Sequence, residues 1–317
     1  MSTDLAPLAH RVRSRALDWL HTHRRLGALP HGTGLGADLA AYKAVAEVAL
    51  AAGLTVRSGT AGSREHAQSR ELLDFGWSQM RHGDLLYERL LHHPLTTDPL
   101  ECYSHFAVAG YRHHGLEDLV AHLAATGVAS ALECVPNRRL AIANALRATG
   151  HDRGPSRPDW PALTRATWLG ATPQPWLIDW ETAYAMTHTV FHLTDWGRNP
   201  QALGQEPAAY LGQWLPVWTD VWSETCQWDL VGELLIVGNC LPQPYAEVDD
   251  WQRLAQVQHP DGLMPRDADG VDDDPATRFA DHQHTTVVAV IAATVALARD
   301  LETSADSSPD EATEGRR

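Results

Sequence analysis

His284–Ala298 reads HTTVVAVIAATVALA, and the segment ahead of it, Asp249–Gln258, reads DDWQRLAQVQ. The first is apolar nearly all round, so as a helix it must be covered on every side; the second carries one apolar stripe and one wet face. Such a pair predicts an inner helix backed by an outer one. The same alternation runs back through the chain. Amphipathic segments lie at Pro7–His23, Ser63–His92, Leu116–Ala125, Trp160–Leu169 and Pro207–Trp222, and apolar or small-residue segments at Ala37–Ala51, Cys102–Arg112, Arg138–Thr149, Thr182–Thr194 and Leu230–Cys240. Gly/Pro breaks such as Leu29–Gly36, Gly154–Pro158, Gly170–Pro175 and His259–Gly270 join them. Strand signals are scarce, with no alternating β-branched run and no Asn-Gly hairpin. A unit of roughly 40–60 residues counted about six times closes a circle. The expected fold is all-α: an α/α toroid of about six helical hairpins. It would occupy residues 1–303 as one domain, followed by a disordered acidic tail over 304–317. The Gly-rich His31–Gly36 has no strand before it, so it reads as a hairpin turn and not as a nucleotide fingerprint.

Of the 317 residues, 44% are apolar, enough for a sizeable core, and the formal charge of -15 argues against nucleic acid and against an anionic membrane surface as partners. No stretch reads as a transmembrane span or as a signal peptide. Four cysteines with no CxxC pair make no disulfide framework, which points to a reducing cytoplasm.

Trp251–Pro265, WQRLAQVQHPDGLMP, resembles the repeat of the terpenoid-cyclase and protein-prenyltransferase β-subunit superfamily, in which an outer helix ends in Gln and an Asp-Gly turn leads to the next inner helix. The His284-Thr285 step resembles the His-Thr step of prenyltransferase β subunits, where the histidine is a zinc ligand; the resemblance implies that role for His284. The chain departs from that family in lacking the matching Asp and Cys ligands, and it has no ordered DxDD. The stretch WETAYAMTHTVFHLTDWG, residues 180–197, is similar to an actinobacterial family of toroid proteins found with natural-product biosynthesis genes, which implies a place in specialised (secondary, antibiotic-type) metabolism with no assigned reaction.

Three inner segments begin alike and place His105, His188 and His284 near the start of a buried helix. In a toroid all inner helices run the same way, so these imidazoles would meet at one electropositive mouth. Three imidazoles with an open position suit zinc, or iron. His188, His192 and Asp195 stand at i, i+4 and i+7, on one helical face. There Asp195 can complete a metal site, orient an imidazole or act with His192 as general base. Tyr184 and Glu233 are further catalytic candidates, Glu233 because a carboxyl inside a buried helix needs a partner. Trp180 and Trp196 would wall the cavity. Arg138, opening an inner helix, is a candidate substrate contact, with a salt bridge to Glu133 or another carboxylate as the alternative.

These residues point first to a metal-dependent enzyme that hydrolyses, eliminates or cyclises a small intermediate, free or carried on a carrier protein. The second reading is a carbohydrate-active hydrolase or lyase pairing Asp195 with Glu233, Asp229 or Asp38. The third is a non-catalytic toroid that binds a peptide or carrier protein.

Overall fold

The structure, a computed structural model, describes residues 5–30, 39–94, 96–127, 133–153 and 157–306. Among them are thirteen α-helices and no strand. In chain order the helices are α1 (Leu5–His23), α2 (Leu39–Arg57), α3 (Ser63–Gln79), α4 (Asp84–His92), α5 (Asp98–Ala107), α6 (His114–Thr126), α7 (Pro136–Thr149), α8 (Trp160–Arg165), α9 (Trp180–Thr194), α10 (Gln205–Glu224), α11 (Trp228–Cys240), α12 (Val248–Val257) and α13 (Pro275–Asp306).

Two kinds of helix are evident from burial. Every residue of α11 is buried, whereas α10, next in the chain, buries only Leu211, Leu215, Trp218 and Thr219, one stripe of a 20-residue helix. Each apolar side chain so covered contributes about 1.5–3 kcal/mol. Helix α2 packs against α5, α5 against α7, α7 against α9, α9 against α11, α11 against α13, and α13 against α2. Helices α1 and α3 pack on each other; α1 also meets α12 and α13, and α3 meets α2. Helix α4 lies against α5 and α6, α8 against α7, and α10 against α11.

Several boundaries differ from the periodicity. The expected segment Ser63–His92 is two helices, because Arg81, His82 and Gly83 take positive φ (50°, 56° and 99°) and turn the chain. Helix α5 starts at Asp98, four residues before its apolar run, with Pro99 in its first turn, where a missing N–H costs nothing. Helix α13 reaches Asp306, so the first three residues of the expected tail are helical; the remainder of the tail, Asp38 and His31–Gly36 lie outside the described residues. The expectation that no stretch reads as a membrane span needs correction. Pro275–Ser304 is long and apolar enough by length and composition, but 67% of its most apolar window is buried against the rest of the chain.

The turn after α12 shows why Trp251–Pro265 carries its pattern. Gln258 Nε2 donates to the carbonyls of Val12 (3.1 Å) and Gly262 (2.9 Å), tying the turn to α1. Gly262 has φ +105°, and a Cβ there would lie 2.2 Å from the Arg15 carbonyl oxygen, so no other residue fits unstrained.

Candidate functional site

A cavity of about 560 Å³ is lined by residues from α2, α5, α7, α9, α11 and α13. That size accommodates a drug-sized molecule. His105, His188, His192, His284, Glu233, Arg138 and Trp196 all line it. They come from five helices and one helix-terminal turn, yet share one wall system. Leu50, Phe191, Ile236, Val288 and Ile291 give it an apolar body.

The histidines do not all stand at helix starts, as the sequence had suggested. His105 lies in the last turn of α5 and His188 in the middle of α9; only His284 is nearer the start of its helix. The argument from helix N-termini for an electropositive mouth therefore falls. What brings the imidazoles together is burial of the inner faces.

His284 Nδ1 lies 3.0 Å from Glu47 Oε1, whose other neighbour is Lys43 Nζ at 3.5 Å. Burial opposes a charge on His284, but the Glu47 hydrogen bond and negative charge overcome it and raise the imidazole pKa above 6.5. Against burial, the same contact lowers the Glu47 pKa. With Nδ1 held by the carboxylate, Nε2 is the nitrogen left for other chemistry.

His188 Nδ1 is 2.8 Å from the Tyr184 carbonyl oxygen, one helical turn back. A carbonyl only accepts, so Nδ1 carries the proton and Nε2 is the acceptor. Glu233 Oε2 is 3.7 Å from the same Nδ1 and accepts a hydrogen bond from the Thr187 hydroxyl. Glu233 is only 2% exposed. Burial dominates and raises its pKa, with the His188 charge and the Thr187 bond opposing. It is a carboxyl poised to hold a proton.

His105 and His192 are neutral. Burial, then the charge of Arg57, pushes His105 down to about 4. Burial, then His188, holds His192 well below the ordinary imidazole value. The His188 and His192 ring centroids are 6.2 Å apart.

Other expected residues fall elsewhere. Asp195 lies beyond the end of α9, where residues 195–197 have φ of 49°, 57° and 83°, so it does not continue the His188–His192 face. Its carboxylate lies 3.3 Å from both Arg57 and Arg198. It lines a separate chamber of about 30 Å³ and not the large cavity. Trp180 is 64% exposed in the first turn of α9, away from the cavity. The Tyr184 hydroxyl donates to Asp229 Oδ2 instead of lining the cavity; its carbonyl orients His188. Arg138 is engaged by Glu101, with Thr97 Oγ1 at 3.1 Å and Glu133 at 3.9 Å. It is a salt-bridged rim residue. Among the described residues no group of three His, Cys, Asp or Glu side chains is placed to hold a metal ion. The expected His105–His188–His284 donor set therefore does not fit a metal as it stands.

Sequence reading missed Glu47, Glu101, Lys43 and Asn144, all of which line the cavity. Glu47 had one available signal, a lone carboxylate within an otherwise small and apolar helix.

An all-α chain whose buried helices bound one polar-rimmed cavity is the class that fold and site define. Residues 13–294 match the family model described as a domain of unknown function, DUF6895, and the chain belongs to that family. No curated protein and no solved structure matches it.

Proposed function

We propose that the chain is an enzyme of the α/α-toroid type that moves protons on a small, mostly apolar molecule held inside the ring. Four observations support the toroid. The contacts from α2 through α5, α7, α9 and α11 to α13 return to α2. Outer helices back the inner ones. The small chamber is lined by residues one turn further along α2, α5 and α7 and past the end of α9, as parallel inner helices require. The Gln258 turn agrees with the likeness to the terpenoid-cyclase superfamily.

One observation carries the chemistry: the His284–Glu47 dyad lines the same cavity as the buried carboxyl of Glu233, with His188 beside it. His284 Nε2, oriented by Glu47, serves as the base; Glu233 serves as the acid. Isomerisation and elimination need only this pair and an apolar, water-poor site; hydrolysis needs in addition one bound water as the nucleophile. The paired-carboxylate reading loses support because Asp195 and Glu233 line different cavities. An open cavity of this size also counts against a non-catalytic toroid that binds a peptide or carrier protein, for which an interior filled with side chains is expected. Specialised metabolism remains the setting the sequence resemblance favours, and the cysteine usage favours a reducing cytoplasm.

The test is to incubate purified protein with a complex small-molecule extract and follow all compounds over time, resolved by chromatography and by mass. The expected result is consumption of at least one compound with appearance of its product, slowed by about 100-fold or more in His284→Asn and Glu233→Gln. No change in any chromatographically resolved compound, or equal turnover by the folded variants, overturns the reading.

A further inference from the structure

The innermost end of the cavity holds polar groups whose hydrogen-bonding capacity the protein does not use. Asn144 is 8% exposed and lines both the large cavity and the small chamber beneath it. Its Oδ1 accepts from Arg147 at 2.7 Å, which fixes the amide orientation and leaves Nδ2 as a donor with no partner among the described residues. His105 lines the same two spaces, and neither of its ring nitrogens has a hydrogen-bond partner among the described residues. His192 joins them from α9.

We propose that this floor, formed by Asn144, His105 and His192, is a subsite for a carbonyl or carboxylate oxygen at the end of an otherwise apolar small molecule. The inference rests on the cavity being a substrate site, as argued above, and deepens that reading by naming the substrate's chemistry. Asn144 Nδ2 can only donate, and a neutral imidazole can present its N–H to the same point, so the complementary guest group is an acceptor. Leu50, Phe191, Ile236 and Ile291 enclose the remainder of the guest in apolar surface.

A cationic guest is the wrong match. Arg147 donates to the carbonyl oxygens of His192 (2.8 Å) and Leu193 (3.4 Å), which brings one guanidinium to this end. Arg57 brings another, paired with Asp195. The nearby acids are already held, Asp195 by Arg57 and Arg198, Glu101 by Arg138 and Glu47 by His284, so an added ammonium would have to displace an existing partner or be buried uncompensated. The chamber of about 30 Å³ that Asn144 and His105 also line has room for a water that can satisfy these two groups before a guest enters. A guest oxygen takes over that role.

The test uses three probes of one shape: benzylacetone, hydrocinnamate and phenylpropylamine. Each is titrated into protein labelled at its histidine ring nitrogens, and imidazole chemical shifts are followed by NMR. The expected result is saturable movement of His105 and His192 with the ketone or the acid, and binding of the amine at least about tenfold weaker, the value of one buried hydrogen bond with its charge mismatch. Tighter ketone binding identifies a neutral carbonyl guest, and tighter acid binding a carboxylate. Asn144→Leu weakens the preferred probe about tenfold. If that variant does not fold, the wild-type shifts decide alone. Amine binding as tight as the ketone's, saturable binding that moves neither imidazole, or no saturable binding of any probe overturns the proposal. Specific binding here without turnover in the extract experiment would sink the catalytic reading and leave the subsite standing.

Discussion

His284 and Glu47 lie 237 residues apart in the chain, yet their side chains meet at 3.0 Å across the α13–α2 boundary. The contact closes the sequence of helix neighbours that bounds the cavity, and it sets the protonation of both groups. Burial opposes the charge on each, but their mutual bond raises His284 above 6.5 and lowers Glu47 below 4.5.

The first prediction follows from those directions. A raised histidine contributes stability that is complete below its unfolded pKa and lost as pH rises through the folded value. A lowered carboxylate contributes stability that is complete above its unfolded pKa and lost as pH falls through the folded value. Both contributions are present together between 4.5 and 6.5. Glu47→Gln should therefore cost most in that window, about 1 kcal/mol once solvent screening is included, and progressively less at alkaline pH. Urea midpoints of wild type and variant across pH check this. A cost independent of pH would show that the dyad does not govern these groups.

Glu233 behaves in the opposite sense, because burial raises its pKa. Native protein then binds a proton that unfolded chain has released, so stability falls as pH rises through the interval, by about 1.4 kcal/mol per pH unit. Glu233→Gln keeps a neutral group at the Thr187 hydroxyl and should remove that slope. The variant should equal wild type under acidic conditions and exceed it under alkaline ones. Chemical denaturation at both extremes would reveal a failure as parallel curves.

Gly262→Ala should destabilise by about 3 kcal/mol, since it forces a Cβ against the Arg15 carbonyl and keeps an L-residue at φ +105°. Gly212→Ala, on the exposed side of α10 with nothing within 4 Å, should stabilise by about 0.5–1 kcal/mol. Thermal melts of the two variants should move in opposite directions.

Arg13 is 0% exposed and donates to both oxygens of Glu65 at 3.1 and 2.8 Å, joining α1 to α3. Arg13→Met should cost about 3–5 kcal/mol, because it strands a buried carboxylate. Adding Glu65→Leu should restore part of that loss. A double variant less stable than the single would contradict the ion-pair account.

Metal dependence separates the donor set expected from sequence from the geometry found. Since no three donors are placed together among the described residues, stripping with a chelator should leave the melting temperature and turnover unchanged. A fall in either, reversed by zinc or iron and absent in His188→Ala, would restore a histidine metal centre.

The two kinds of helix were legible because burial on one side or on all sides leaves a periodicity in the residues themselves; α10 and α11 show the two patterns side by side. Helix ends were less legible. The Arg81–Gly83 turn and the positive φ at Asp195 depend on local backbone choices that apolar periodicity does not report. That is why Asp195 was placed on the wrong face. His105, His188, His192, His284 and Glu233 were found as candidates because polar residues on buried helices need partners. Their partners were not found.

Sequence alone determined that this chain is helical, which faces are covered, and which polar residues those faces carry, since each of these is a property of neighbours within a few turns. Tertiary structure decided what the polar residues touch: Glu47 for His284, Arg57 for Asp195, Thr187 for Glu233. Those pairings span distances in the chain over which no periodicity persists, and they are set by how whole helices pack against one another.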